Sequence, residues 1–374
     1  MAAHSEKGPS SSSRWIHCTP SARLCADMPD QVTTFAEEGT QAHSLCEYLL
    51  KKELGIAGED PRPTLSYYNA EMEECCSGYR DYVMELYEAA KRETNDPVLM
   101  VEQRIQYERF VPGGFGTADC IIIADRVLNV VDFKYGMGVE VSAEGNSQMR
   151  IYALGALEIF DNLYDIDRVQ MTIYQPRKSN ISVDEISRDE LYRWAEEVLQ
   201  PAAEEADRGD GEFHAGEWCR FCKARHICRE RARENLRLAA YDFASPPLLE
   251  DEEIIDILGQ ADQLINWAND VKEYARQEAA TGKQWKGWKL VEGKSNRKFT
   301  NVNAVVKAAH KAGYDPYCKQ LLSITEMEKM MGKKKFEEIL GDLVIKPAGK
   351  PVLVTEDDKR PPINSAKEDF KEEN

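Results

Sequence analysis

Asp119, Asp132 and Lys134 stand inside GTADCIIIADRVLNVVDFKYG, a stretch from Gly116 to Gly136 that otherwise reads as two strands of Ile, Val and Leu joined by a turn at Ala124, Asp125 and Arg126. Aspartate and lysine are poor strand residues, and a buried, unpaired carboxylate costs several kcal/mol, on the order of the stability of a whole domain. Two acids on adjacent strands, with a lysine two positions after the second and on the same strand face, can hold a hard divalent cation beside a positive group. Mg²⁺ suits oxygen ligands of this kind and commonly sits between carboxylates and phosphates. The chemistry implied is phosphodiester hydrolysis. The cation activates water and stabilises charge on the phosphoryl oxygens, while Lys134 positions or polarises the nucleophile.

GEWCRFCKARHIC is a second constellation, spacing Cys219, Cys222 and Cys228 as C-x2-C-x5-C among 10 cysteines in the chain. MAAHSEKGPSSSSRW has no apolar signal-peptide core and no run is long enough to span a bilayer, so the chain reads as cytoplasmic. Thiols stay reduced there, and clustered cysteines point to a metal rather than to disulfides. Three thiolates need a fourth ligand, and a soft set selects zinc or an iron–sulfur cluster. With His226 the segment closes on itself as a compact zinc site.

A net charge of −18 is unfavourable for phosphate binding on average, yet charge is unevenly placed. From Cys219 to Arg237 seven Lys or Arg face two Glu, and from Lys283 to Lys298 six face one. WKGWKLVEGKSNRKF, within the second of these, interleaves aromatics with cations; it can stack bases or form a β-hairpin whose Trp residues pack into their own domain.

These residues need elements to carry them. Thr33 to Leu50 shows helical spacing, with Ala42, Leu45 and Leu49 on one face and Thr40, His43 and Glu47 on another. A second helix fits residues 71–93, and strands begin at Val98. Glu144 to Phe160 reads as an amphipathic helix with Gln148 and Tyr152 one turn apart, 168–176 alternates like a strand, and Ser187 with Glu190 forms a capping box before the next helix. Helices before, between and after strands predict an α/β (α+β) core, a central mixed sheet flanked by helices. The prolines and acids of SPPLLEDEE predict a boundary. The expected division is a disordered stretch over 1–13, one domain over 14–244 that includes the cysteines, a mostly helical region over 245–345, and a flexible, proline-rich tail over 346–374.

GTAD followed by DFK resembles the PD-(D/E)XK nuclease superfamily, and Gln148-x-x-x-Tyr152 resembles the Q-x-x-x-Y signature of its RecB-like branch, whose first helix carries G-x-x-x-H as Gly39 and His43 do here. The resemblance implies a restriction-endonuclease-like core. It makes Asp119, Asp132, Lys134, Gln148 and Tyr152 the catalytic set, and His43, Asp119, Asp132 and the backbone carbonyl of Phe133 the ligands of Mg²⁺ or Mn²⁺. Gln148 and Tyr152 are then DNA contacts or order the lysine. Two further acids lie near this set: Glu102, which opens the first strand and is ordinarily solvated there, and Glu47, one turn after His43.

Several RecB-like nucleases staple one N-terminal cysteine to three C-terminal ones around a 4Fe-4S cluster. By that resemblance Cys18 joins Cys219, Cys222 and Cys228, with Cys25 as its rival, and the cluster clasps the N-terminus against the end of the domain; Zn²⁺ is the alternative. Arg220, Lys223 and Arg225, between the cysteines, are candidate DNA contacts. The whole chain also resembles a phage and prophage family placed in this superfamily.

The implied function is a DNA exonuclease of phage-type recombination or DNA processing. The implied partners are DNA and a single-strand annealing or single-strand-binding protein, with a homo-oligomeric ring among the forms such enzymes take. No G-x-x-x-x-G-K-[ST] loop is present, so a P-loop motor is not built in. The rival readings are an end-processing or endonucleolytic nuclease of an adaptive immune system, a non-catalytic DNA-binding module with a structural cluster, and an acidic interaction scaffold.

Overall fold

The computed structural model describes residues 5–29, 33–238, 249–291, 301–313, 315–317 and 322–345, without the side chains of 329 and 333. Residues 1–291 and 292–374 form two compact units.

The first unit opens with short helices α1 (Ser12–His17) and α2 (Ser21–Ala26), followed by α3 (Thr34–Glu53) and α4 (Ala70–Glu93). Thr33 caps α3 by accepting from the Ala36 N–H at 3.2 Å, and Asn69 caps α4 through the Met72 N–H at 2.9 Å. Next come strands β1 (Val98–Gln106), β2 (Phe115–Ala124) and β3 (Arg126–Phe133), helix α5 (Ser147–Phe160), and strands β4 (Ile166–Gln175) and β5 (Asn180–Ser187). Helix α6 (Arg188–Trp194) runs through a π-turn into α7 (Gln200–Arg208), and α8 (Arg229–Leu236) and the long α9 (Asp251–Ala280) complete the unit. The Ser187–Glu190 capping box is present at the start of α6.

The five strands lie in sequence order, all neighbours antiparallel except β3 and β4, which are parallel. A parallel pair needs a crossover, and α5 supplies it. This is a mixed sheet flanked by helices, as the pattern predicts. One face packs Cys120, Ile122, Val131 and Phe133 against α3 and α4; the other packs Ile121, Ile123, Leu128 and Val130 against α5 and the N-terminal helices. Helix α5 buries nine of its residues, and Gly155, one of them, lets it approach β1: a Cβ there would meet Ile105 Cδ1 at 2.9 Å. Strand β5 has no counterpart in the sequence reading. It is a half-wet edge whose apolar members, Ile181 and Val183, stay exposed, so it carries little hydrophobic signal.

Two boundaries differ from expectation. The polar start, expected to be disordered through residue 13, is placed from Ser5 onward, because tertiary partners replace the core it lacks. Lys7 pairs with Asp207, the Trp15 indole donates to the Gly8 carbonyl at 3.1 Å, and Ser12 meets Ser147 hydroxyl to hydroxyl at 2.7 Å. The division expected at 245 falls inside the first unit, since α9 packs on α8 and Asp270 pairs with Arg225 at 3.2 Å and Arg231 at 2.5 Å.

In the second unit the described elements are helical: α10 (Val302–Lys311), α11 (Ile324–Met331) and α12 (Lys333–Leu340). Residues 292–299 of the expected hairpin, Cys318 and the tail from 346 lie outside the described residues.

Candidate functional site

The sheet brings the acids together at the C-terminal end of β3, between α3 and α5. His43 projects from α3, Asp119 from β2 and Asp132 from β3, and Lys134 is the first residue but one beyond Asp132, its N–H bonded to the Tyr174 carbonyl at 2.9 Å. His43 Nδ1 lies 3.4 Å from Asp119 Oδ2 and 3.9 Å from Glu102 Oε1. The Phe133 N–H donates to Asp119 Oδ2 at 2.8 Å and so ties β2 to the end of β3.

A second set of bonds faces α5. Gln148 Nε2 donates to Asp132 Oδ1 at 3.1 Å and to the Tyr152 hydroxyl at 3.2 Å, while Lys134 Nζ donates to Gln148 Oε1 at 3.2 Å. Lys134 Nζ also lies 3.0 Å from Asp132 Oδ2 as an ion pair. The alignment of that pair does not make a hydrogen bond, and Asp132 Oδ2, on a residue only 2% exposed, is buried without a hydrogen-bond partner. Buried polar atoms are nearly always satisfied, and here the Lys134 ammonium at 3.0 Å is the counter-charge of that oxygen, which with the neighbouring acids could also serve a bound cation.

Glu102 completes the group. It faces Asp119 across the β1–β2 ladder, which pairs Val101 with Cys120 and Gln103 with Ala118 and skips the residues between. At this point the Glu102 backbone takes a φ of 50°, a left-handed conformation uncommon for a non-glycine residue. Among the described residues, ligand atoms of His43, Glu102 and Asp119 lie within 4.8 Å of one another.

Three carboxylates thus face two cations, and the charge shows in their proton affinities. Burial opposes a charged His43, but Asp119, with Asp132 and Glu102 behind it, raises the imidazole to about 9. Burial, reinforced by repulsion from Asp119, pushes the Glu102 carboxyl up to about 7. Burial also pushes Asp119 upward, yet His43, the Phe133 N–H and Lys134 outweigh it and hold that carboxyl below its ordinary value. Asp132 is raised by burial in spite of Lys134. Burial opposes the charge on Lys134, but Asp132 and Asp119 outweigh it and raise the ammonium. A divalent cation removes the excess negative charge, and two carboxylates with an imidazole form a donor set that suits Mg²⁺ or Mn²⁺.

The cysteines also converge. Cys25 Sγ lies 3.7 Å from Cys222 Sγ, and that contact lowers the Cys25 thiol to about 5 while raising its partner. Cys18 and Cys219, both raised mainly by burial, each feel the charge of Cys228. Five cysteines therefore share one region, with Cys25 beside Cys222 and Cys18 beside Cys219 and Cys228. Lys223 donates to the Met28 carbonyl at 2.9 Å. His226 stacks on Tyr274 of α9 with ring centroids 4.3 Å apart; among the described residues neither His226 nor Cys18 or Cys25 forms a compact ligand group with Cys219, Cys222 and Cys228.

A family model described as "Protein of unknown function (DUF2800)" matches residues 4–361. The chain belongs to that family. A solved structure described as the crystal structure of SSO0001 aligns with 50% of this DUF2800 chain and 95% of its own, at 17% identity and a TM-score of 0.24, too slight a likeness to carry an argument.

Of the residues singled out in this family member's sequence, the fold brings together His43, Asp119, Asp132, Lys134, Gln148 and Tyr152. Phe133 meets Asp119 through its N–H. The compact ligand trio holds Glu102 where Asp132 was expected, and Asp132 turns instead to Lys134 and Gln148. Glu47 lies outside the trio, paired with Lys51 at 2.5 Å. Glu102 is in mid-strand rather than at a strand end; a lone acid in VLMVEQRIQ was its only signal, and its meaning depends on the register with β2. Arg220, Lys223 and Arg225 line a cavity against α9.

Proposed function

We propose that this protein is a metal-dependent deoxyribonuclease, a member of the PD-(D/E)XK superfamily of the RecB-like kind, working as an exonuclease in phage-type recombination or DNA processing. The observation that carries this reading is the buried network in which Lys134 bridges Asp132 and Gln148 while Asp132 keeps one oxygen without a hydrogen bond. His43, Glu102, Asp119 and Asp132 would hold a Mg²⁺ or Mn²⁺ ion, which when bound supplies charge stabilisation at phosphoryl oxygens and acidifies water.

The chain's own groups have separate tasks. Gln148 hydrogen-bonds both the Lys134 ammonium and the Asp132 carboxylate, and the Tyr152 hydroxyl fixes Gln148 from the next turn of α5. Lys134, kept charged by Asp132 and Asp119, is placed to orient a nucleophilic water or to face a phosphate oxygen. His43 neutralises Asp119 and keeps it ionised.

The cysteines support a soft-metal site that clasps the N-terminus to the end of the domain, read here as a 4Fe-4S cluster on Cys219, Cys222, Cys228 and one of Cys18 and Cys25. Zn²⁺ is the second reading, favoured by one distance: a tetrahedral thiolate site with Zn–S near 2.3 Å has an S···S edge of about 3.8 Å, and Cys25 and Cys222 are 3.7 Å apart. A brown protein with broad absorbance near the violet, or a colourless one containing zinc, separates the two.

No helix among the described residues is long and apolar enough to cross a membrane. We place the protein in the cytoplasm, with DNA as its substrate and a single-strand annealing or binding protein as its partner. The test is cleavage of an end-labelled linear duplex with Mg²⁺, with Mn²⁺ and with chelator. Cutting that needs the cation and is lost in Lys134→Ala supports the reading; cutting untouched by Lys134→Ala overturns it.

A further inference from the structure

Between the cysteine segment and α9 lies a cavity of about 1280 Å³. Its lining includes Thr33, the N-cap of the helix that carries His43, and Val139, five residues after Lys134.

The walls combine three kinds of group. Phe221 presents its ring to solvent, 73% exposed, with the Arg220 guanidinium 5.9 Å from its centroid. Gln263, Asn266 and Asn269 recur every three residues along α9 and place a row of amides on the wall facing it. Tyr274 lines the wall further along α9, its ring covered by His226.

Charge in the cavity nearly cancels. Asp270 is held by Arg225 and Arg231, and Glu278 by Lys283 at 3.2 Å. A duplex brings many phosphates to a chain of net charge −18 and gains little from balanced walls. A short single strand brings few phosphates, open base faces for Phe221, and base edges whose donors and acceptors match amides. From Gln263 to Gln277 the helix extends roughly 21 Å at 1.5 Å per residue, room for roughly four nucleotides, the lower end of single-strand footprints.

We propose that this cavity binds a few nucleotides of single-stranded DNA running to or from the carboxylate site, with Phe221 as the stacking platform and the α9 amides on base edges. The proposal rests on the nuclease reading for its direction, but its test does not use cleavage. The full chain, with its cysteine-bound metal retained and no Mg²⁺ or Mn²⁺ added, is titrated against a fluorescently labelled 12-nucleotide single strand, its duplex and the same sequence as RNA, following anisotropy.

The expected result is tighter binding of single-stranded DNA than of duplex or RNA. Phe221→Ala weakens it about 5- to 100-fold, the range for losing one base–aromatic stack, and Asn266→Ala with Asn269→Ala weakens it further. The salt dependence corresponds to roughly one or two phosphates, a log–log slope near −1. All three side chains are exposed, so melting temperatures stay at the parent value. Unchanged affinity in these variants, preference for duplex or RNA, or no single-strand binding overturns the proposal even if Lys134→Ala abolishes cleavage. Cleavage that survives Lys134→Ala overturns the nuclease reading and leaves the binding result standing.

Discussion

The carboxylate site and the cysteine region both gather residues of ligand type, but they differ in how far protein partners order them. At the carboxylates each group has a protein partner: His43 on Asp119, the Phe133 N–H on Asp119, Gln148 between Lys134 and Asp132. Two cations offset three acids, and the sheet holds the frame. In the cysteine region five thiols crowd into loops and short helices, and burial raises Cys18 and Cys219 toward the neutral form. A hard-ligand site can be preassembled by hydrogen bonds and charge; a thiolate site gains most of its order from the metal itself. The N-terminus nonetheless has fastenings beyond sulfur, with Lys7 on Asp207 and the Thr19 hydroxyl on Glu205 at 2.7 Å.

Striking each region in turn and reading both outputs separates the two most clearly. Lys134→Ala is expected to lower the cleavage rate by about a thousandfold or more, since charge stabilisation and nucleophile positioning fail together, with iron or zinc content unchanged by elemental analysis. Cys222→Ser should do the reverse: bound metal falls below one equivalent and the melting temperature drops by about 10 °C or more, because a structural metal's binding energy is also folding energy. Equal losses of metal and stability in both variants would erase the distinction drawn above.

A smaller effect sharpens the description of the carboxylates. Glu102→Gln is expected to cut activity about 10- to 100-fold, the usual cost of weakening a metal site by one supporting group, and to raise the Mg²⁺ concentration for half-maximal rate. In chelator the same variant should melt a few degrees higher at pH 8, since a buried acid repelled by Asp119 has been neutralised.

The smallest expected effect is on pH dependence. Folded Glu102 and His43 both have values raised above their ordinary ones, to about 7 and about 9. Groups raised on folding contribute stability that is present below their unfolded values and lost as pH rises through the folded ones. Metal-free protein should therefore lose melting temperature steadily from about pH 4.5 to about pH 9, and saturating Mn²⁺ should flatten that slope. A flat metal-free profile would show that the two groups do not face one another in solution.

Much of the first region was readable in one dimension. Asp119 and Asp132 interrupt apolar strands, the spacing of Lys134 puts it on the face of Asp132, and Gln148 and Tyr152 fall one helical turn apart; each of these is a local pattern that backbone geometry converts directly into position. Glu102 was not readable in this way, because a strand acid acquires its role from the residue across the ladder. Strand β5 was missed although residues 180–184 alternate polar and apolar, because its apolar members there, Ile181 and Val183, are only two and face solvent rather than a core. The ordered start at Ser5 escaped for a related reason: its partners are Asp207 and Ser147, far along the chain.

From the residues alone came the order of helices and strands around a mixed sheet, the acids set among apolar strand residues, and the close spacing of Cys219, Cys222 and Cys228, because burial cost, periodicity and spacing act over a few residues. That Glu102 stands opposite Asp119, that Asp132 turns to Lys134 and Gln148, that Cys25 rather than Cys18 meets Cys222, and that α9 faces the cysteine segment across a cavity came instead from the packed chain. Register and packing between distant segments set those relations, and they follow from where the whole core closes rather than from any neighbouring residues.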